Sequence, residues 1–235
     1  MKRWPRRKVF GNQRAMKRVL VTGGSGFIGR KLCADLVARG DQVTVLTRDV
    51  AATKRILPGS VRVAAWSLSA KDAWAEELGV VDAVMHLAGE NVAERWTYER
   101  KRAIVTSRVD ATHALVEAMR AAKHKPAAFV SASAIGYYGP RPGDEELDEQ
   151  AEPGEGFLAD VTQRWEAASK EAEAIGVRSV QVRIGLVLGE GGGVLEKLVT
   201  PFKVFAGGPL GDGKQVFSWI HRDDVVGILL LALDD

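Results

Sequence analysis

Cysteine occurs once in the 235 residues, as Cys33, and histidine only four times. A single thiol excludes an intrachain disulfide, and its place in an apolar helical stretch reads as core in a reducing cytoplasm. His86, His113, His124 and His221 lack the short spacings of metal ligands, so no metal site is expected. Apolar residues make up 46% of the chain, enough for a sizeable core. No run reaches the roughly 18 consecutive apolar residues of a membrane-spanning helix, so no membrane partner is expected. Acid is missing from the first eighteen residues, which carry Lys2, Arg3, Arg6, Arg7, Lys8, Arg14, Lys17 and Arg18. Taking those eight from 33 Lys and Arg leaves 25 against 30 Asp and Glu, so the net charge of +3 belongs to the terminus. A nucleic-acid partner would need a basic face on the folded part, and none is evident.

Residues 1–16 read as a basic flexible extension, or as coding sequence ahead of a start at Met16. A presequence is the third reading. However, Arg6-Arg7 is not followed by the apolar region of a twin-arginine signal, and Pro5 opposes an amphipathic transit helix. The remainder, 17–235, reads as one nucleotide-binding α/β domain.

What is present is a sharp strand–turn–helix signal. In V-L-V-T-G-G-S-G-F-I-G, β-favouring residues run into Thr22, and Gly23, Gly26 and Gly29 follow at three-residue spacing. Ile28, Leu32 and Leu36 then recur at helical spacing. Glycines of this kind let backbone approach a pyrophosphate, and the following helix offers free N–H groups and the positive end of its dipole. This is the opening of a dinucleotide-binding βαβ unit.

Strands are predicted at 18–22, 42–47, 61–65, 80–87, 127–132 and 179–184. Helices are predicted at 27–39, about 70–78, about 97–122 and about 158–175. The alternation implies a parallel sheet with helices on both faces, a doubly wound α/β fold. Residues 139–156 form a long loop rich in Pro, Gly and acid, either functional or simply solvated. Residues 189–215 are rich in glycine and fall where substrate-side loops sit in an open α/β sheet.

Four places carry candidate chemistry. At the end of the second strand, Thr47-Arg48 stands where NAD-binding domains place an acid for the ribose 2′-hydroxyl. Arg48 would instead pair with a 2′-phosphate, which favours NADP over NAD. A one-residue shift would put Asp49 there. Leu87, Ala88 and Gly89 end the fourth strand with small residues that let backbone pass close to the cofactor. Arg95, Arg100, Lys101 and Arg102 read mostly as a solvated helix face, while Arg108, late in that helix, could reach a phosphate. Ser133, Tyr137 and Tyr138 follow the fifth strand, where hydroxyls could hydrogen-bond a substrate carbonyl or hydroxyl.

T-G-G-S-G-F-I-G, L-A-G-E-N, S-R, S-A-I-G-Y-Y-G, R-I-G-L-V-L-G, G-G-P-L-G-D-G-K-Q and S-W-I-H-R-D-D together resemble the atypical extended short-chain dehydrogenase/reductases, and within them the epimerase-family, sugar-nucleotide-epimerase-like group. The likeness spans about 17–235. It implies a Rossmann fold and NADP bound by Gly23, Gly26, Phe27, Ile28, Gly29, Thr47, Arg48, Leu87, Ala88, Arg108 and Val187. It also implies that members continue into a small C-terminal domain, so the substrate-side region from about 189 is expected to be truncated here. Active members of the wider superfamily use Ser with Tyr-x-x-x-Lys and an acid four residues later. With Glu166 as that acid, Leu158 and Thr162 stand at the Tyr and Lys positions, and neither can move a proton or lower a phenol pKa. Two functions follow. One is an NADP-dependent oxidoreductase or epimerase acting on a nucleotide sugar or another small hydroxyl/carbonyl compound, with Ser133 and Tyr137 as catalytic candidates. The other is a non-catalytic NADP-binding redox sensor or regulator.

Overall fold

Val19, Leu20 and Val21 are fully buried, and their side chains alternate between two cores. Val19 and Val21 join Leu32, Leu36, Met85, Val226 and Leu229 on one face, whereas Leu20 joins Val84, Leu115, Met119 and Phe129 on the other. A strand with apolar neighbours on both sides belongs in the middle of a covered parallel sheet. The computed structural model describes residues 15–141, 143, 145–208 and 211–235. All but the last two residues of the extension read at 1–16 lie outside them.

β1 (Arg18–Thr22) is flanked by β2 (Gln42–Thr47) and β4 (Ala83–His86), and the sheet continues outward through β3 (Arg62–Ala65), β5 (Ala128–Ala134) and β6 (Arg178–Ile184). The order is β3-β2-β1-β4-β5-β6, and every pairing is parallel. Strand order reverses direction between β1 and β4, which opens a crevice beyond their carboxyl ends, where open α/β sheets bind ligands. This is the expected doubly wound Rossmann sheet. The connecting helices are α1 (Phe27–Ala38), α2 (Val50–Ile56), α3 (Tyr98–Val105), α4 (Ala111–Ala121) and α5 (Phe157–Lys170). Beyond β6 come β7 (Leu186–Leu188), α6 (Gly193–Lys203), β8 (Trp219–His221) and α7 (Arg222–Asp234). β7 and β8 form a separate parallel pair.

The structure corrects several boundaries. The strand read at 80–87 is only Ala83–His86, because Val80 ends a 3-10 turn over Ala73–Val80. That turn also replaces the helix read at 70–78. The helix read at 97–122 is two helices joined by one π turn, Thr106–Asp110. The helix read at 158–175 ends at Lys170 and tightens to a 3-10 turn over Glu171–Ile175. α2, β7, β8 and α6 have no counterpart among the predicted elements. α2 is seven residues long, too short for an apolar stripe to register.

No helix among the described residues is long and apolar enough to cross a membrane. No group of three or more His, Cys, Asp or Glu among them could hold a metal ion.

Candidate functional site

A cleft of about 630 Å³ opens at the carboxyl ends of β1, β2 and β4, lined by Gly23, Gly26, Thr47, Arg48, Ala88 and Glu90 among others. Its floor is the glycine turn. Gly23 has φ +70°, and a Cβ there would lie 2.6 Å from the Leu87 carbonyl carbon and oxygen. A Cβ on Gly29 would lie 2.1 Å from the Gly23 carbonyl oxygen. Any side chain at either place collides with backbone, so glycine holds α1 tight under the turn and leaves its N-terminus open to the cleft. Gly26 is the residue before α1, and no acid occupies the first turn. The free N–H groups there suit an anion.

At the β2 end, Arg48 and Asp49 face different tasks. The Asp49 carboxylate accepts from the Ala52 N–H at 2.9 Å and so caps α2. The Arg48 side chain is 82% exposed at the cleft edge and reaches Glu90 Oε1 at 3.0 Å. The Thr47 hydroxyl bonds the Thr53 hydroxyl at 2.9 Å. One oxygen of the acid that a register shift would bring to the ribose is engaged in the helix cap, while Arg48 and Asp49 both line the cleft.

Opposite, Leu87, Ala88 and Gly89 leave β4 as the small-residue wall. The π turn aims Ser107 and Arg108 at this wall. Ser107 Oγ accepts from the Glu90 N–H at 2.9 Å, and Arg108 donates to the Glu90 carbonyl at 3.0 Å. The Arg108 guanidinium lies over Gly89, where a Cβ would come within 3.0 Å of it. It also stacks 5.3 Å from the Trp165 ring. Burial holds Arg108 below the ordinary arginine value, with Glu90 acting in the opposite direction. Two of its bonds go to backbone carbonyls, so Arg108 braces the wall. Arg100 departs from the solvated face expected of its neighbours: it pairs with Glu90 at 3.4 Å and Glu94 at 2.7 Å.

Phe27, Ile28 and Val187 stand behind the cleft. The Phe27 ring lies under the Arg222 guanidinium at 5.0 Å and against Gly192 and Gly193. Ile28 and Val187 pack against the core beside β1. The glycine-rich stretch after β7 thus closes over the start of α1.

The hydroxyls after β5 form a second cluster. Ser133 is 3% exposed and donates to Glu166 Oε1 at 2.5 Å. Arg183 grips the same carboxylate in a two-pronged pair, Nε to Oε1 at 2.8 Å and Nη2 to Oε2 at 2.9 Å. Burial would raise the Glu166 carboxyl, but Arg183 and Ser133 together hold it below its usual range. The same bonds push the Arg183 guanidinium up. Arg183 also donates to the Tyr138 hydroxyl at 3.0 Å and lies flat on the Tyr137 ring at 3.5 Å. The Tyr138 hydroxyl donates in turn to the Asp148 carbonyl at 2.8 Å, so the long acidic loop is pinned to the β5 end. Sequence reading missed Glu166 and Arg183 as partners of Ser133, because they lie 33 and 50 residues away on α5 and β6. Leu158 and Thr162 sit one turn apart on α5. Both face Gly136, where a Cβ would lie 3.5 Å from Leu158 and 3.6 Å from Thr162.

The buried His86 on β4 ties the sheet's switch point together. Its Nδ1 lies 2.6 Å from the Thr22 hydroxyl on β1. The same hydroxyl accepts weakly from the Ala88 N–H at 3.4 Å. Burial, with the positive charge of Arg108 nearby, pushes the imidazole down to about 3, so it is neutral near pH 7.

Residues 19–235 match the sequence model of the NAD dependent epimerase/dehydratase family. An epimerase family protein of Staphylococcus haemolyticus is 36% identical over 220 residues, covering 94% of this chain and 72% of that protein. The crystal structure of human epimerase family protein SDR39U1 with NADPH superposes with a TM-score of 0.74 at 35% identity, over 92% of this chain and 70% of the human one. A nucleoside-diphosphate sugar epimerase from Corynebacterium glutamicum gives a TM-score of 0.78 at 35% identity, over 94% of this chain and 44% of its own. Matched over residues 19–235 and similar to these proteins across nearly all of its length, the chain belongs to the NAD dependent epimerase/dehydratase family.

Proposed function

We propose that this chain binds NADP(H) in the cleft between β1, β2 and β4, with Arg48 as the partner of the 2′-phosphate. One observation carries the reading: the Arg48 guanidinium stands exposed at the cleft edge while the neighbouring Asp49 carboxylate caps α2 through one oxygen. The likeness to an NADPH-bound relative supports it. The glycine cradle fits a pyrophosphate at the α1 N-terminus, since any Cβ at Gly23 or Gly29 would meet backbone.

When bound, such a cofactor supplies hydride exchange at its nicotinamide. The reaction we favour is oxidoreduction or epimerisation of a nucleotide sugar or another small hydroxyl/carbonyl compound. Ser133 directs its proton to Glu166, which leaves its oxygen able to accept from a substrate hydroxyl. Tyr137 carries the second candidate hydroxyl at that strand end, beside Tyr138, whose hydroxyl is engaged by Arg183 and the Asp148 carbonyl. A non-catalytic NADP(H)-binding sensor is the second reading, favoured by Leu158 and Thr162, which bring neither a phenol nor an ammonium to Gly136. A small molecule as the only partner class, with neither nucleic acid nor membrane, fits the position of the basic residues. A cytoplasmic setting fits the buried free thiol of Cys33.

Titration of NADPH and NADH by fluorescence tests the cofactor assignment. Arg48→Ala should cut the preference for NADPH by about tenfold or more, the worth of one charge-assisted pair; an unchanged preference refutes the 2′-phosphate assignment. NADPH turnover on a panel of nucleotide sugars and small carbonyls, lost in Ser133→Ala and Tyr137→Phe, supports the enzyme. Tight binding without turnover supports the sensor.

A further inference from the structure

Glu90 sits across the cleft from Arg48, and its backbone and its carboxylate are held very differently. The backbone is fixed at both ends: its N–H goes to Ser107 Oγ at 2.9 Å and its carbonyl accepts from Arg108 at 3.0 Å. Its carboxylate instead reaches out to two guanidinium groups, Arg48 at 3.0 Å on Oε1 and Arg100 at 3.4 Å on Oε2. Arg100 is further anchored by Glu94 at 2.7 Å. Arg48 is 82% exposed, and Glu90 is the carboxylate it pairs with.

We infer that the Glu90 carboxylate is an internal competitor for the 2′-phosphate on Arg48, and so a determinant of cofactor selectivity. The inference rests on the NADP(H) reading above. The chemistry is that of one cation facing two anions. An arginine fork takes a carboxylate or a phosphate with the same donors. Before ligand arrives, Glu90 takes one of those donors, Nη2. To take the 2′-phosphate on a fork that includes Nη2, Arg48 must release Glu90, and a dianion then stands near that carboxylate. Arg100 keeps Glu90 partly neutralised and limits that repulsion. An exposed ion pair is weak, so displacement costs little. Glu90 therefore tempers NADP(H) affinity without abolishing it. A 2′-hydroxyl offers no negative charge for Arg48, and it can donate to the carboxylate, so NAD(H) meets no such competition. Selectivity at this cleft is set by a pair, Arg48 favouring the phosphate and Glu90 opposing it.

The test uses the full chain and its Glu90→Gln variant, which keeps side-chain length and both backbone anchors. Dissociation constants for NADPH and NADH are measured by fluorescence at low and high salt. The variant should bind NADPH about two- to fivefold tighter, the worth of an exposed ion pair. NADH affinity should stay level or fall, and the NADPH gain should shrink at about 0.5 M salt. The gain should vanish in the Arg48→Ala background, because the competition acts through that guanidinium. Weaker NADPH binding in Glu90→Gln, an equal change for both cofactors, or a gain that survives Arg48→Ala overturns the inference. If wild type binds NADPH, Arg48→Ala weakens it and Glu90→Gln gives no gain, the competitor role fails while the NADP(H) reading stands. Wild-type protein that binds no NADPH overturns both.

Discussion

Asp49 and Arg48 are adjacent in sequence, yet local geometry separates their functions. A carboxylate immediately before a helix satisfies an N–H that the helix cannot pair internally. The Asp49 side chain does this for Ala52 at 2.9 Å through Oδ1, which ties the side chain to the helix end. Asp49→Ala should cost about 1 kcal/mol in urea unfolding while leaving the NADPH-over-NADH preference as it is. A swing in cofactor preference in that variant would show that the acid reaches the ligand. Both residues were legible as candidates in the sequence; which of them caps a helix depended on where α2 begins, and a seven-residue helix leaves too little periodicity to tell.

At the scale of elements, the π turn inside the long helix and the clamp behind β5 decide what the candidate residues do. Apolar spacing alone reads 97–122 as one helix, because a π turn inserts one residue without changing residue types. That insertion brings Ser107 and Arg108 to the Glu90 backbone, and single π turns inside helices often mark functional places. The Ser133–Glu166–Arg183 cluster joins β5, α5 and β6. Glu166 is 4% exposed, and a buried pair that loses one partner leaves the other uncompensated. Glu166→Gln should therefore destabilise the fold by about 3 kcal/mol, read as a lower denaturant midpoint with an unchanged slope. A loss within about 0.5 kcal/mol would show that Arg183 finds other partners. Such a cluster cannot be read from spacing, since it exists only where two neighbouring parallel strands and the helix packed on them meet.

For the molecule as a whole, acid should lower stability over two overlapping pH ranges. Burial pushes the His86 imidazole down to about 3 in the fold, against an ordinary value of 6.5 when exposed. Between those values the unfolded chain binds a proton that the folded chain refuses, so stability falls as pH falls through that window. From pH 7 to pH 5 the loss assigned to His86 is about 2 kcal/mol. Glu166 has its carboxyl held down in the fold, so its contribution is present above the ordinary carboxylate range and is lost as pH drops below it. Unfolding free energies at pH 7 and pH 5 separate the two, because Glu166 remains ionised throughout that interval. His86→Asn should remove most of the decline; an equal decline in the variant would place the proton uptake elsewhere.

The sequence by itself determined the sheet and the place of its glycine turn. Continuous apolar strands alternating with amphipathic helices leave few folds other than a doubly wound sheet, and the glycine triplet marks where its first turn must pack without side chains. β1 and β2 fall at the predicted residues because strand periodicity is a local property. Only the tertiary structure decided the allegiances of the charged and hydroxyl groups. It set Glu90 between Arg48 and Arg100, turned Ser133 onto Glu166, and buried His86 against Thr22 across the strand crossover. Each pairing joins residues that are distant in the chain or on different elements, and its strength depends on how much water the fold excludes around it.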